Sequence, residues 1–146
     1  MVTYCTDDDL LKYRPNIMDL GVDDWSEQRA EAYRLINRVI TARWYRTAAP
    51  EMGFDPRVTV FDSTKVRADT FKALEAFKTL ELAYTTLKKD GHEEDGFERA
   101  EKSFRKKYNE ELELILAAGI DYDWDDSGTM LETELYLRTP RRLVRN

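Results

Sequence analysis

Apolar residues recur at steps of three and four in three long stretches of this chain, and that period predicts helices. The first runs from about Trp25 to about Arg46, with Trp25, Tyr33, Ile36, Val39, Ile40 and Trp44 sharing one face. Asp24 and Glu27 have the spacing of a capping box at its start. The second spans about Lys65 to Lys89, capped by Ser63 or Thr64, with a stripe of Val66, Ala73, Phe77, Leu80, Tyr84 and Leu87. Phe71, Leu74 and Leu82 lie off that stripe. A helix apolar on two sides needs two neighbours, and a second subunit is a candidate for one of them. The third runs from about Phe97 to Ala118, with Ala100, Phe104, Tyr108, Leu112 and Ile115 on one face and Asp95 with Glu98 as a second capping box. Gly119 fits the left-handed position after it, with Ile120 folding back on Ile115 or Leu114 as a Schellman motif requires. A short helix is expected at Asp7–Tyr13, capped by Thr6, its three leading aspartates facing the positive end of the dipole and Pro15 ending it.

Glycine and proline punctuate the rest, because both are costly inside a helix. Ala49, Pro50, Gly53 and Pro56 mark a loop; Val58, Val60 and Phe61 are too few to predict a strand. Gly91 to Gly96 is a polar turn. From Asp121 to Asn146 the chain begins acidic, passes Ser127 and Gly128, alternates weakly over Thr133 to Leu137, meets Pro140 and ends basic. This reads as an extended arm. The expected fold is therefore all-α. A compact bundle of three long helices plus the short N-terminal helix fills residues 1–120, and an extended C-terminal arm follows at 121–146. Ile36, Val39, Phe77, Leu80, Tyr84, Phe104, Tyr108 and Leu112 are its expected core.

Composition agrees with a single globular domain: 146 residues, 42% hydrophobic and 36% charged. No apolar run approaches the roughly 20 residues of a membrane helix, so no membrane is expected as a partner. The first nine residues turn acidic at once and are not read as a signal peptide. Cys5 is the only cysteine, which excludes an internal disulfide and points to a reducing compartment. The net charge of −6 conceals an asymmetry. Arg138, Arg141, Arg142 and Arg145 sit in a final stretch without acids; without them the chain carries 19 basic against 29 acidic residues, a balance of −10. An acidic body argues against nucleic acid running along its whole surface.

Signals for catalysis are sparse, and no catalytic residue or cofactor is expected. No glycine-rich phosphate loop is present. His92, the single histidine, lies in a charged turn; Ser26 and Ser63 fall where helix capping explains them. Cys5 has no evident activating neighbour. One acidic constellation has metal-like spacing: Asp121, Asp123 and Asp125, followed by Glu132 at the twelfth position, the ligand pattern of an EF-hand calcium loop. Asp126 departs from it where the loop's sharp turn takes glycine, Gly128 departs where an apolar residue belongs, and no good helix follows. Those departures weigh against calcium, and the simpler reading of the same acids is a solvated linker; a third is counterions for arginines of a neighbouring copy. The arginine-rich end also has three readings: a solvated tail, a contact for DNA phosphates, or a segment that docks on an acidic partner. Tyr136, Leu137, Leu143 and Val144 favour docking, since interfaces mix apolar anchors with arginine.

The opening Tyr4-Cys5-Thr6-Asp7-Asp8-Asp9-Leu10, the helical body, the helix ending at Gly119 and the arginine-rich C-terminal arm together resemble the head–tail connector (adaptor, or head-completion) proteins of long-tailed bacteriophages. That resemblance implies a structural virion protein without catalysis, a viral assembly component put together in the bacterial cytoplasm. It implies a ring, usually dodecameric, in the neck beneath the portal protein, joining the DNA-filled capsid to the next neck or tail protein while DNA passes through the channel. The stopper, the next ring down, is the near alternative within that resemblance. The matching arm is Tyr136, Leu137, Arg138, Arg141, Arg142, Leu143 and Arg145. An acidic wall would let DNA slide by repulsion. A small calcium- or DNA-binding accessory protein is the alternative outside it.

Overall fold

The computed structural model describes residues 2–67, 69–89 and 95–128. The chain is all-α, as expected; among the described residues the only extended pairing is an isolated antiparallel bridge between Val66 and Tyr122. The helices are α1 (Asp7–Tyr13), α2 (Ser26–Ile40), α3 (Arg46–Glu51), α4 (Lys72–Lys89) and α5 (Asp95–Ala118), with 3-10 turns at Ile17–Asp19 and Ser63–Lys65. No described helix is long and apolar enough to cross a membrane.

Contacts divide the described residues into two units, 2–36 with 71–112 and 37–70 with 113–128. The expected division placed a bundle at 1–120 and an arm from 121. Within that arm Tyr122, Asp123 and Trp124 are buried.

In the first unit, the N-terminal segment supplies what α4 needs on its second face. Cys5, Leu10, Ile17 and Trp25 form one cluster with Ala76, Leu80, Ala83, Tyr84, Leu87, Ala100 and Phe104. Tyr4 sets its ring edge-on to Phe71, 5.1 Å between centroids. Of the three residues off the stripe, Phe71 and Leu74 are thus covered by this same chain, while Leu82 is half-buried. α1 begins at Thr6, whose amide and hydroxyl both donate to the Asp9 carboxylate at 2.8 and 3.0 Å, the reciprocal half of a capping box. Arg14, at its C-cap, donates from Nε to the Tyr84 hydroxyl at 2.7 Å, and the Tyr84 ring stacks on Phe104. The indole of buried Trp25 donates to the Ile17 carbonyl at 3.2 Å. α4 and α5 are also tied by charge. Arg105 reaches Glu81 at 3.0 Å and Glu101 at 2.7 Å; Lys78 and Lys88 meet the same two carboxylates at 2.8 and 3.1 Å. Both acids are largely buried, and shared cations are what makes that tolerable.

The second unit departs most from the periodic reading. Asp24 caps α2 by accepting from the Ser26 amide, but the helix does not stop near Arg46. It widens into a π turn at Thr41–Tyr45 and continues as α3 with Pro50 inside. Ala32, Ile36, Ile40 and Trp44 are all buried at steps of four. A helix of about 3.6 residues per turn lets such a row drift, and one wider turn takes up the drift. α4 starts seven residues later than the expected Lys65. Asp62 accepts from the Thr64 amide and hydroxyl, closing a 3-10 turn, after which Val66 is extended against Tyr122. α5 already includes Asp95, so its start lies ahead of the expected capping position. Of the expected core, Val39 and Phe77 are half-buried and the other six residues are buried.

Candidate functional site

The arm residues Tyr136, Leu137, Arg138, Arg141, Arg142, Leu143 and Arg145 lie outside the described residues, as do His92 and Glu132. The three aspartates of the calcium-like spacing are described, and each turns to a different task. Asp121 faces Arg67 at 3.4 Å. Asp123 accepts from the amides of Ser127 and Gly128, at 3.2 and 2.8 Å. Asp125 accepts from the Ser127 amide at 3.2 Å. Asp126, which replaces the glycine of such a loop, does adopt the left-handed conformation (φ 57°), with its carboxylate 4.0 Å from Lys65. Among the described residues no three His, Cys, Asp or Glu side chains are placed to hold a metal ion.

The richest local chemistry is in the second unit, built on an aromatic cluster that periodicity does not reveal. Trp44 and Tyr45 come from the π turn, Phe54 and Phe61 from the following loop, and Tyr122 and Trp124 from beyond α5. Tyr45 and Trp124 stack at 5.7 Å and 9°; Phe54 stacks on Trp124 and Phe61 on Tyr122, both at 5.7 Å. Tyr122 and Trp124 are 4.6 Å apart. Such pairs contribute about 0.5–1.5 kcal/mol each beyond their burial. Burial pushes the Tyr122 phenol up to about 12, and its oxygen accepts from the Asp62 amide at 3.0 Å. Tyr45 donates its hydroxyl proton to the Thr59 carbonyl at 2.6 Å, and burial raises it too. That bond anchors the loop.

The loop's path is set by hydrogen bonds at the end of α3. Gly53, at φ +85°, donates to the Pro50 carbonyl at 3.1 Å, and Phe54 donates to the Ala49 carbonyl at 2.9 Å. This pair of bonds is the Schellman motif. At the end of α5, where that motif was expected, Gly119 donates instead to Ile115 at 3.0 Å, the single bond of the simpler left-handed cap. Ile120 is nevertheless fully buried. Asp55 then accepts from the Arg57 amide at 2.9 Å and turns the chain outward, leaving Val58 and Val60 exposed.

Between the end of α3 and this loop lies a cleft of about 960 Å³, lined by Arg46, Pro50, Gly53, Phe54, Asp55, Pro56 and Arg57. A second, of about 500 Å³, is lined by Arg38, Arg46, Asn37, Thr41, Ala42, Phe61 and Ser63. Arg46 lines both. Sequence reasoning noticed the loop residues only as punctuation. The available signal was that Phe54 and two arginines flank its glycine and prolines.

No protein-family model, curated protein or solved structure matches this chain.

Proposed function

We propose that this chain is a structural subunit of a tailed-phage particle, a head–tail connector adaptor that assembles as a ring on the portal. The observation that carries this reading is the layout of the sequence: an acidic helical body followed by a short acid-free segment with four arginines. The all-α fold is the one this reading requires. Arginines interleaved with Tyr136, Leu137 and Leu143 give the arm both polar and apolar anchors for a partner surface. Ordering such a segment costs about 1–2 kcal/mol per residue in backbone entropy alone. A ring of portal subunits offsets that cost by gathering many copies on one template.

Electron microscopy of the purified protein, alone and mixed with the portal protein of the same phage, tests the proposal. Rings that form on portal are the expected result. A chain that stays monomeric with portal present at micromolar concentration overturns it.

A further inference from the structure

The geometry points to a peptide-binding site in the cleft of the second unit: an acidic peptide segment carrying an apolar side chain, its carboxylates held by Arg46 and Arg57 and its apolar group set against Pro50, Phe54 and Pro56. The site holds whether or not the chain assembles on a portal.

Charge on this molecule is predominantly negative, yet among the described residues this cleft presents one arginine in no ion pair and one held only by an exposed pair. Arg46 is exposed, and among the described residues neither it nor Arg38 makes an ion pair. Arg57 meets only Asp55, at 3.4 Å, with nine-tenths of its side chain exposed. Exposed pairs of that kind are held weakly and exchange readily for a better partner. Guanidinium groups match carboxylates with two parallel hydrogen bonds, which favours a carboxylate ligand over a merely negative one. In an acidic protein an acidic ligand must be drawn by such local charge, because the overall field opposes it.

The walls supply the other half. Pro50, Phe54 and Pro56 give the cleft an apolar lining, and Phe54 is fixed by its stack on Trp124. The loop holding them is fastened by the Schellman bonds and by Tyr45 on Thr59, so the site is formed in advance. Preformed clefts that mix apolar walls with a few placed charges are the usual form of binding sites. Val58 and Val60, exposed on the same loop, extend the apolar contact available to a chain longer than the cleft.

A nucleic acid fits less well. Asp55 stands among the lining residues, and the uninterrupted charge of a nucleic-acid backbone would place a phosphate against it. A peptide spaces its carboxylates and avoids that clash.

The test uses the full chain and fluorescence anisotropy with labelled ten-residue peptides. One panel carries Phe or Leu flanked by Asp and Glu; a matched panel carries Asn and Gln in place of the acids; a labelled DNA duplex is the third probe. Saturable binding of an acidic panel member is expected, weakened at least roughly tenfold by the amide replacements and by the double variant R46Q/R57Q. R46K/R57K should recover part of it, and R34Q, on an exposed arginine of the first unit, should leave it unchanged. Far-ultraviolet circular dichroism checks that each variant is folded. As a second readout, amide shifts of Gly53 and Phe54 in the native protein should move on titration. DNA binding in place of peptide binding overturns the inference. So does retained affinity in folded R46Q/R57Q, or no acidic panel member binding at millimolar concentration.

Discussion

The backbone amide of Cys5 donates a hydrogen bond to the carboxylate of Glu75, across 70 residues of sequence. Glu75 is completely buried in α4, and Cys5 is buried over it. This bond pins the N-terminal segment onto the helix it covers. It also leaves an ionisable group inside an apolar cluster, with consequences for stability and for the thiol.

Burial pushes Glu75 up from its ordinary value of 4.5 to about 7. The folded state therefore holds this proton more tightly than the unfolded chain does. Its contribution to stability is complete below pH 4.5, declines as pH rises toward 7, and is lost above it. The difference across that window amounts to about 3 kcal/mol. Glu75→Gln keeps an acceptor for the Cys5 amide without the charge. Urea unfolding should find the variant close to the parent at pH 4.5 and more stable at pH 8. Parallel pH profiles for the two proteins would refute the assignment.

The same contact governs Cys5. Burial raises the thiol far above the usual range, and the neighbouring Glu75 carboxylate raises it further. Thiolate is the reactive form, so the native thiol should be inert. Reaction with an aromatic disulfide reagent at pH 8 should follow the rate of unfolding and accelerate in urea. Fast labelling of the native protein would show that the N-terminal segment opens on its own.

Periodicity reached α2, α4 and α5 because each keeps one apolar face over several turns, whereas α1 was legible from its Thr6 cap, its leading aspartates and Pro15. It misplaced the start of α4, since Asp62 closes a local turn and Val66 is extended against Tyr122, a partner far along the chain. It missed the π turn because burial of both Trp44 and Tyr45 breaks the 3.6-residue pattern. It did not reveal that the N-terminal segment, from Cys5 to Trp25, covers α4, because that segment is too irregular to read as packing surface. The aromatic cluster is built from short segments remote in sequence, and no local pattern announces it; its cleft is local, but its only signal was Phe54 and two arginines around a glycine and prolines. The acids of Asp121–Asp125 were legible as a spacing, but their partners, Arg67 and the amides of Ser127 and Gly128, were not.

Gly53 and Gly96 should respond to alanine with opposite signs. Both have open space where a Cβ would go, so neither change creates a clash. Gly53 sits at φ +85°, where an L residue costs about 1–2 kcal/mol. Gly96 lies within α5, where alanine gains about 0.5–1 kcal/mol. Thermal unfolding of Gly53→Ala and Gly96→Ala should therefore move in opposite directions. Destabilisation of similar size in both would contradict the conformational argument.

Three truncations separate the arm from the core it follows. A chain ending at Gly128 keeps Tyr122, Trp124 and the Asp123 bonds to the Ser127 and Gly128 amides. It should unfold at a urea concentration close to that of the full chain, and under the connector proposal it should fail to assemble on portal. The same loss of assembly is expected of a chain ending at Glu134, which lacks every arginine of the arm. A chain ending at Ile120 removes Tyr122 and Trp124 from contact with Trp44, Tyr45, Phe54 and Phe61. Each large aromatic lost from a core costs about 3–5 kcal/mol, against a whole stability of about 5–15 kcal/mol. The second unit should then lose its fixed structure, seen as collapse of the near-ultraviolet circular dichroism that its tryptophans and tyrosines generate. A folded Ile120 truncation would mean that the cluster is not the core of that unit. A Gly128 truncation that still forms rings on portal would remove the arm from the assembly mechanism while leaving the aromatic core intact.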